Sequence, residues 1–239
     1  MSEVLRIALV AEGYTDKVVL SAAIGAMLGD RPFVLRLLQP VESLPLESAE
    51  PYTGMGKGWG GVYLWCREAV RRSGSRLRDD ALLFLEYDLL ILHLDADVAG
   101  KHYSDYEIED AADDLPCEEA CPPPSATTDR LRTVLLRWVG EVEIPPRTVL
   151  CTPSKSCEAW VVAALFPDDK EMEKSGWECH PNPEKRLSVQ PKDQRLRKTE
   201  REYNSAEDRL AEEWPRVSKQ LSEAARFASE FSNQLEAMG

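Results

Sequence analysis

The sequence predicts an α/β fold, a mainly parallel sheet with helices on both faces, followed by a helical C-terminal extension. Three observations predict it. Short apolar runs alternate with segments of helical spacing up to about residue 166. Acidic residues follow three of the four strand-like runs, and ligands of such sheets gather at the carboxyl ends of the strands. After Pro167 the aliphatic residues thin out, and helical spacing returns only at Arg201.

Val4 to Val10 reads as a buried strand, ended by Ala11-Glu12-Gly13. Thr15 is the expected N-cap of a helix to Leu28, with Val18, Val19, Ala22, Ala23, Ala26 and Met27 on its buried face. Pro32 to Leu38 reads as a second strand. Residues 40–61 form a long loop ending in a glycine run around Lys57, and a helix follows from Val62 to about Arg72. Tyr87 to Leu94 is the clearest strand and runs directly into Asp95-Ala96-Asp97. An acidic insertion covers about 100–124 and closes on Pro122-Pro123-Pro124. Ser125 or Thr128 then caps a helix through Trp138. Pro146 to Cys151 is the fourth strand, and Lys155 to Leu165 the next helix, with Trp160 in the core. The expected division is an α/β domain over 1–166, a basic irregular arm over 167–200, and two C-terminal helices over 201–239, broken at Pro215.

Composition narrows the function. With 239 residues, 43% of them hydrophobic, the chain is long enough for a packed domain. No apolar run reaches the roughly 18 residues of a membrane span, and the N-terminus lacks the form of a signal peptide, so a cytoplasmic protein is expected. A net charge of −13 argues against coating nucleic acid by bulk electrostatics. The charge is uneven. Residues 105–119 hold eight acids and no Lys or Arg, whereas 185–201 hold seven bases against two acids. Cys66, Cys151 and Cys157 sit in or beside apolar segments as small hydrophobes. Cys117, Cys121, Cys179 and His180 match no standard zinc spacing.

Asp95 and Asp97 follow a buried strand at a spacing that points both carboxylates to one side. Left unpaired they repel, and a hard cation such as Mg²⁺ or Mn²⁺ removes the conflict. A solvated acidic turn would also carry this pair, and Glu12 tips the balance toward a site. Gly13 beside it leaves room for a phosphate near the next helix. Asp16 either faces the same way or serves the helix dipole.

The segments Val10-Ala11-Glu12-Gly13-Tyr14-Thr15-Asp16, Leu94-Asp95-Ala96-Asp97 and Ser156-Cys157-Glu158 together resemble the TOPRIM domain. They are most similar to its version in overcoming-lysogenization-defect (OLD) nucleases and small stand-alone TOPRIM-like defence proteins. The resemblance covers about residues 4–166 and implies a TOPRIM/Rossmann-like sheet and a metal-dependent nuclease in a bacterial anti-phage or mobile-element defence system. It implies Mg²⁺ or Mn²⁺ on Glu12, Asp16, Asp95, Asp97 and Glu158, some of them acting as acid or base, with Glu12 the leading candidate. It makes Ser156 an orienting group and Lys155 a stabiliser of developing charge. The chain departs from the pattern at Val98-Ala99, which stand where glycine is frequent, and it contains no ATPase phosphate-binding motif.

Lys57, Lys101 and the arm bases Arg195, Arg197 and Lys198 are candidate contacts to a DNA or RNA backbone. His93, on the strand just before Asp95, reads more as a packed histidine than as a catalyst. A partner protein or a second copy suits the acidic insertion, and no membrane is expected. Two other readings compete. In a haloacid-dehalogenase-like phosphatase, Asp95 would be the nucleophile, Asp97 the acid, Thr152 a phosphate contact, and Asp168 and Asp169 the metal ligands. The third is a non-catalytic TOPRIM module that senses nucleic acid or nucleotide.

Overall fold

A computed structural model of the chain describes residues 3–40, 56, 58–108, 111 and 114–238. Four strands, β1 (Leu5–Val10), β2 (Phe33–Gln39), β3 (Leu89–His93) and β4 (Thr148–Cys151), form one parallel sheet in the order β2-β1-β3-β4. The fold is therefore α/β, with helices on both faces and a helical C-terminal part.

Alternation along the strands builds two cores. Leu5, Ile7, Leu9, Leu89, Ile91, Val149 and Cys151 face one way, and α1 (Tyr14–Leu28), α5 (Glu158–Leu165), α8 (Glu200–Gln220) and α9 (Ser222–Met238) cover them. Ala8, Val10, Leu90, Leu92, Leu94 and Leu150 face the other way, under α2 (Gly58–Ser73) and α4 (Ser125–Trp138). A short helix, α3 (Ala81–Glu86), leads into β3. No described helix is long and apolar enough to cross a membrane.

Several local expectations change. α1 starts at Tyr14, ahead of the expected Thr15 cap, because Asp16 Oδ2 accepts the Gly13 N–H at 2.8 Å. α1 is also buried at Leu20 and Ile24, outside the expected face, because α8 lies along it. Residues 168–198 contain two helices, α6 (Lys170–Ser175) and α7 (Pro183–Ser188). Asp169 caps α6 by accepting from the N–H groups of Glu171 and Met172, and Asn182 caps α7 just before Pro183.

α8 continues through Pro215, and the break falls at Leu221. Pro215 removes one helical hydrogen bond, and burial of Leu210, Trp214 and Val217 on one face offsets that cost. The stop is set remotely. The Glu178 carboxylate accepts from Ser222 N–H at 2.7 Å and from Glu223 N–H at 2.9 Å, fixing the start of α9. Beside it, Cys179 forms a disulfide with Cys121, which the zinc grouping did not foresee.

Asp169 also pairs with Arg186 at 3.0 Å. Burial pushes its pKa up, but Arg186 and the Met172 N–H outweigh burial and hold it below the ordinary 3.8. A depressed folded pKa stabilises fully above the unfolded value and is lost as pH falls through the folded one. Asp169→Asn should therefore lower stability at neutral pH and flatten the acid limb between about pH 5 and 2. Thermal unfolding across that range checks it, and parallel curves for the two proteins would count against the pairing.

Candidate functional site

The order β2-β1-β3-β4 reverses direction between β1 and β3, so a crevice opens at the carboxyl ends of those two strands. Glu12 follows β1 and Asp95 follows β3, one on each side of it. They meet directly, with Asp95 N–H donating to Glu12 Oε1 at 2.9 Å. Asp97 sits one turn further on, its own N–H bonded to the Lys155 carbonyl at 2.9 Å. Asp16 lies in the first turn of α1 and Glu158 opens α5, both buried. The structure thus brings carboxylates from three separate segments of the chain to one edge of the sheet.

Their electrostatics record the crowding. Partial burial, then Asp95 and Asp16, hold the Glu12 carboxyl well above the usual range. Burial raises Asp16 to about 7 against the opposing pull of His93. Burial and Asp95 raise Asp97. Asp16 and Asp95 are buried, Glu12 is half-buried and Asp97 is exposed, and carboxylates crowded in this way are the kind of oxygen donors a hard divalent cation takes. Among the described residues, however, no three of Glu12, Asp16, Asp95 and Asp97 bring their oxygens within 4.8 Å of one another, so the set would have to draw together to share one ion.

Glu158 differs. Its Oε1 accepts from Tyr203 OH at 3.1 Å and pairs with Lys198 Nζ at 2.9 Å, while Oε2 is buried with no hydrogen-bond partner. Lys198 comes from the basic arm, where the sequence suggested a nucleic-acid backbone contact, and instead reaches into the acidic cluster. Burial opposes its charge, but Glu158, Asp95 and Asp16 outweigh burial and raise its pKa. An ammonium at this position adds a fixed positive charge beside Glu158 and repels any other cation that approaches the cluster. Lys198→Met should therefore tighten Mn²⁺ binding by roughly tenfold, allowing for partial solvent screening. Calorimetric titration tests this, and unchanged affinity would mean that the ammonium and the ion do not compete.

The other sequence candidates are placed as follows. Lys101 pairs with Asp97 at 3.7 Å. Lys155 turns its ammonium onto Glu118 of the insertion, and its backbone is left-handed at φ 61°. Ser156 is buried, its N–H bonded to the Ser154 carbonyl. Arg195 and Arg197 are exposed. Lys57 lies outside the described residues. Gly13 has an extended φ of −153°, and a Cβ there would make only ordinary contacts. Neither backbone strain nor packing requires glycine at this position.

Three residues near the site were not assigned there from sequence. Tyr203 holds Glu158 from α8. His93 is buried with Nε2 3.3 Å from Asp95 Oδ1. Burial opposes its protonation, yet Asp16, Asp95 and Glu12 together raise its pKa to about 9. Tyr106, in a 3₁₀ turn of the insertion (Tyr103–Tyr106), stacks edge-on against Trp59 at 4.9 Å. A Cβ on Gly58 (φ +72°) would lie 2.5 Å from Tyr106 Oη and 4.0 Å from Glu12 Oε2, so Gly58 lets the insertion close beside Glu12. The sequence held one usable sign of this approach, the glycine run at 58–61.

A separate cavity of about 530 Å³, lined by Glu3, Arg31, Asp88 and Arg147, lies at the amino-terminal edge of the sheet, away from these acids. In comparisons with family models, curated proteins and solved structures, this chain matches none.

Proposed function

We propose that the chain is a TOPRIM-like, metal-dependent phosphodiesterase acting on DNA or RNA, a reading that also accommodates a role in anti-phage defence. The observation that carries it is the meeting of Glu12 and Asp95 across the β1/β3 crevice, with Asp16 and Asp97 beside them. Glu12, Asp95, Asp97 and Asp16 would hold Mg²⁺ or Mn²⁺, which supplies Lewis acidity and a water of lowered pKa. The remaining work falls to side chains of the chain. Lys198 and Lys101 lend positive charge where a phosphoryl group accumulates negative charge. Asp95 N–H fixes Glu12 Oε1, leaving Oε2 toward Gly58 and Tyr106. Tyr203 and Lys198 hold Glu158 in place. The exposed Arg195 and Arg197 are available to a polyanion, which a chain of net charge −13 otherwise repels.

The phosphatase reading loses support because Asp169, one of its metal ligands, is committed to Arg186 and the α6 cap. A binding module with no turnover is the remaining alternative. Incubation with plasmid, single-stranded DNA, RNA and a phosphomonoester, each with Mg²⁺ or Mn²⁺, distinguishes the three. Cleavage of a polynucleotide but not the monoester is expected. Monoester turnover alone, or none at all, would overturn the proposal.

A further inference from the structure

Beneath the hard carboxylates lies a group of donors of different chemistry. His93 ends β3, Cys157 precedes α5, and Asp16 sits in the first turn of α1, so three elements meet at one buried point. One ligand atom from each lies within 4.8 Å of the others. His93 Nε2 is 3.1 Å from Cys157 Sγ, and His93 Nδ1 is 3.9 Å from Asp16 Oδ2. Nδ1 is fully buried and has no hydrogen-bond partner. Asp95 Oδ1, 3.3 Å from Nε2, accepts the Cys157 N–H at 3.1 Å and so braces both residues from beside the group.

We propose that Asp16, His93 and Cys157 form a second metal site, selective for a borderline cation of the Zn²⁺ class. Thiolate and imidazole donors favour Zn²⁺ or Co²⁺, whereas Mg²⁺ takes oxygen alone. Zinc–ligand bonds of about 2.0–2.3 Å put neighbouring donors roughly 3.5 Å apart, so the group needs to close by only about 1 Å. Charge balances inside the core. The Cys157 thiol proton, the extra proton that His93 carries at neutral pH and any proton on Asp16 leave to solvent, and the thiolate and the Asp16 carboxylate then neutralise the dication beside a neutral imidazole. An ion seated there engages Asp16 and so withdraws one carboxylate from the crevice above. The site thus lets a borderline cation control the hard-cation pocket. The proposal does not depend on the phosphodiesterase reading, because binding is observed without nucleic acid.

Co²⁺ titration of the chelator-treated full chain tests it through the near-ultraviolet sulfur-to-cobalt charge-transfer absorption. A band saturating at one equivalent and bleached by Zn²⁺ is expected. It should vanish in Cys157→Ser and weaken in affinity on the order of tenfold or more in His93→Gln. It should persist in Glu12→Gln and in Cys117→Ser, which removes the exposed free thiol. Far-ultraviolet circular dichroism establishes that each variant folds, and if Cys157→Ser does not, His93→Gln decides. No band in the wild type, a band that survives Cys157→Ser, full affinity in folded His93→Gln, or loss in Cys117→Ser would each overturn the site.

Discussion

Glu12→Gln should reduce metal-dependent cleavage of a polynucleotide by about 10³-fold while leaving the fold intact. The amide keeps the shape of the side chain and its acceptor for the Asp95 N–H, so the contact across the β1/β3 crevice is retained. What it removes is one negative charge from the ion-binding oxygens. Single groups that hold or stabilise charge in an active site commonly contribute about 10²–10³ in rate, and losing a cation ligand adds weaker metal affinity to that. The check is paired. Initial rates are compared at saturating Mn²⁺, and Mn²⁺ affinity is measured by calorimetry on the same preparations. Wild-type cleavage in a folded Glu12→Gln protein would move the chemistry away from this crevice.

Phe227→Ala should lower stability by about 3–5 kcal/mol, the usual cost of emptying a buried aromatic site. For a chain of this size that is a fall in Tm on the order of 10 °C. Phe227 is fully buried, packed against Trp160 of α5 at 6.1 Å, Trp214 of α8 at 6.1 Å and Phe231 at 6.2 Å. The same cluster reaches the strands through Leu9, Ile91 and Val149. The C-terminal helices are therefore expected to melt together with the sheet. Tryptophan fluorescence and circular dichroism should show one coincident transition, shifted as a whole. Two separate transitions would mean that the helices beyond residue 200 fold as their own unit.

The residues that were legible in the sequence are those whose signal is local. Alternating apolar positions gave the strands, and the acids at 12, 95 and 97 fell at strand ends because loops there interrupt an apolar run. Cys66, Cys151, Cys157 and Trp160 are buried as their apolar neighbours suggested. What was illegible depends on residues far apart in the chain. Glu178 stops α8 from 44 positions away, Lys198 meets Glu158 only because α8 carries the arm back to α1, and Cys121 pairs with Cys179 across 58 positions. The short helices α6 and α7 did carry local caps, Asp169 and Asn182-Pro183, but low aliphatic content masked them. His93 illustrates a subtler limit. Burial was readable from its strand, whereas its contacts with Asp16 and Cys157 depend on how three elements meet.

The seating of α8 on α1 also fixes a timetable. The first helix ends at residue 28 and its cover begins at residue 200, so 172 residues separate them. At about 5–20 residues per second, a ribosome needs roughly 9–34 s to make that stretch. Throughout that interval Leu20 and Ile24, fully buried in the finished fold, have no permanent neighbour from α8. The order of synthesis thus leaves this apolar helix without its cover until late, and chaperone occupancy on nascent chains should be greatest before residue 200 has emerged.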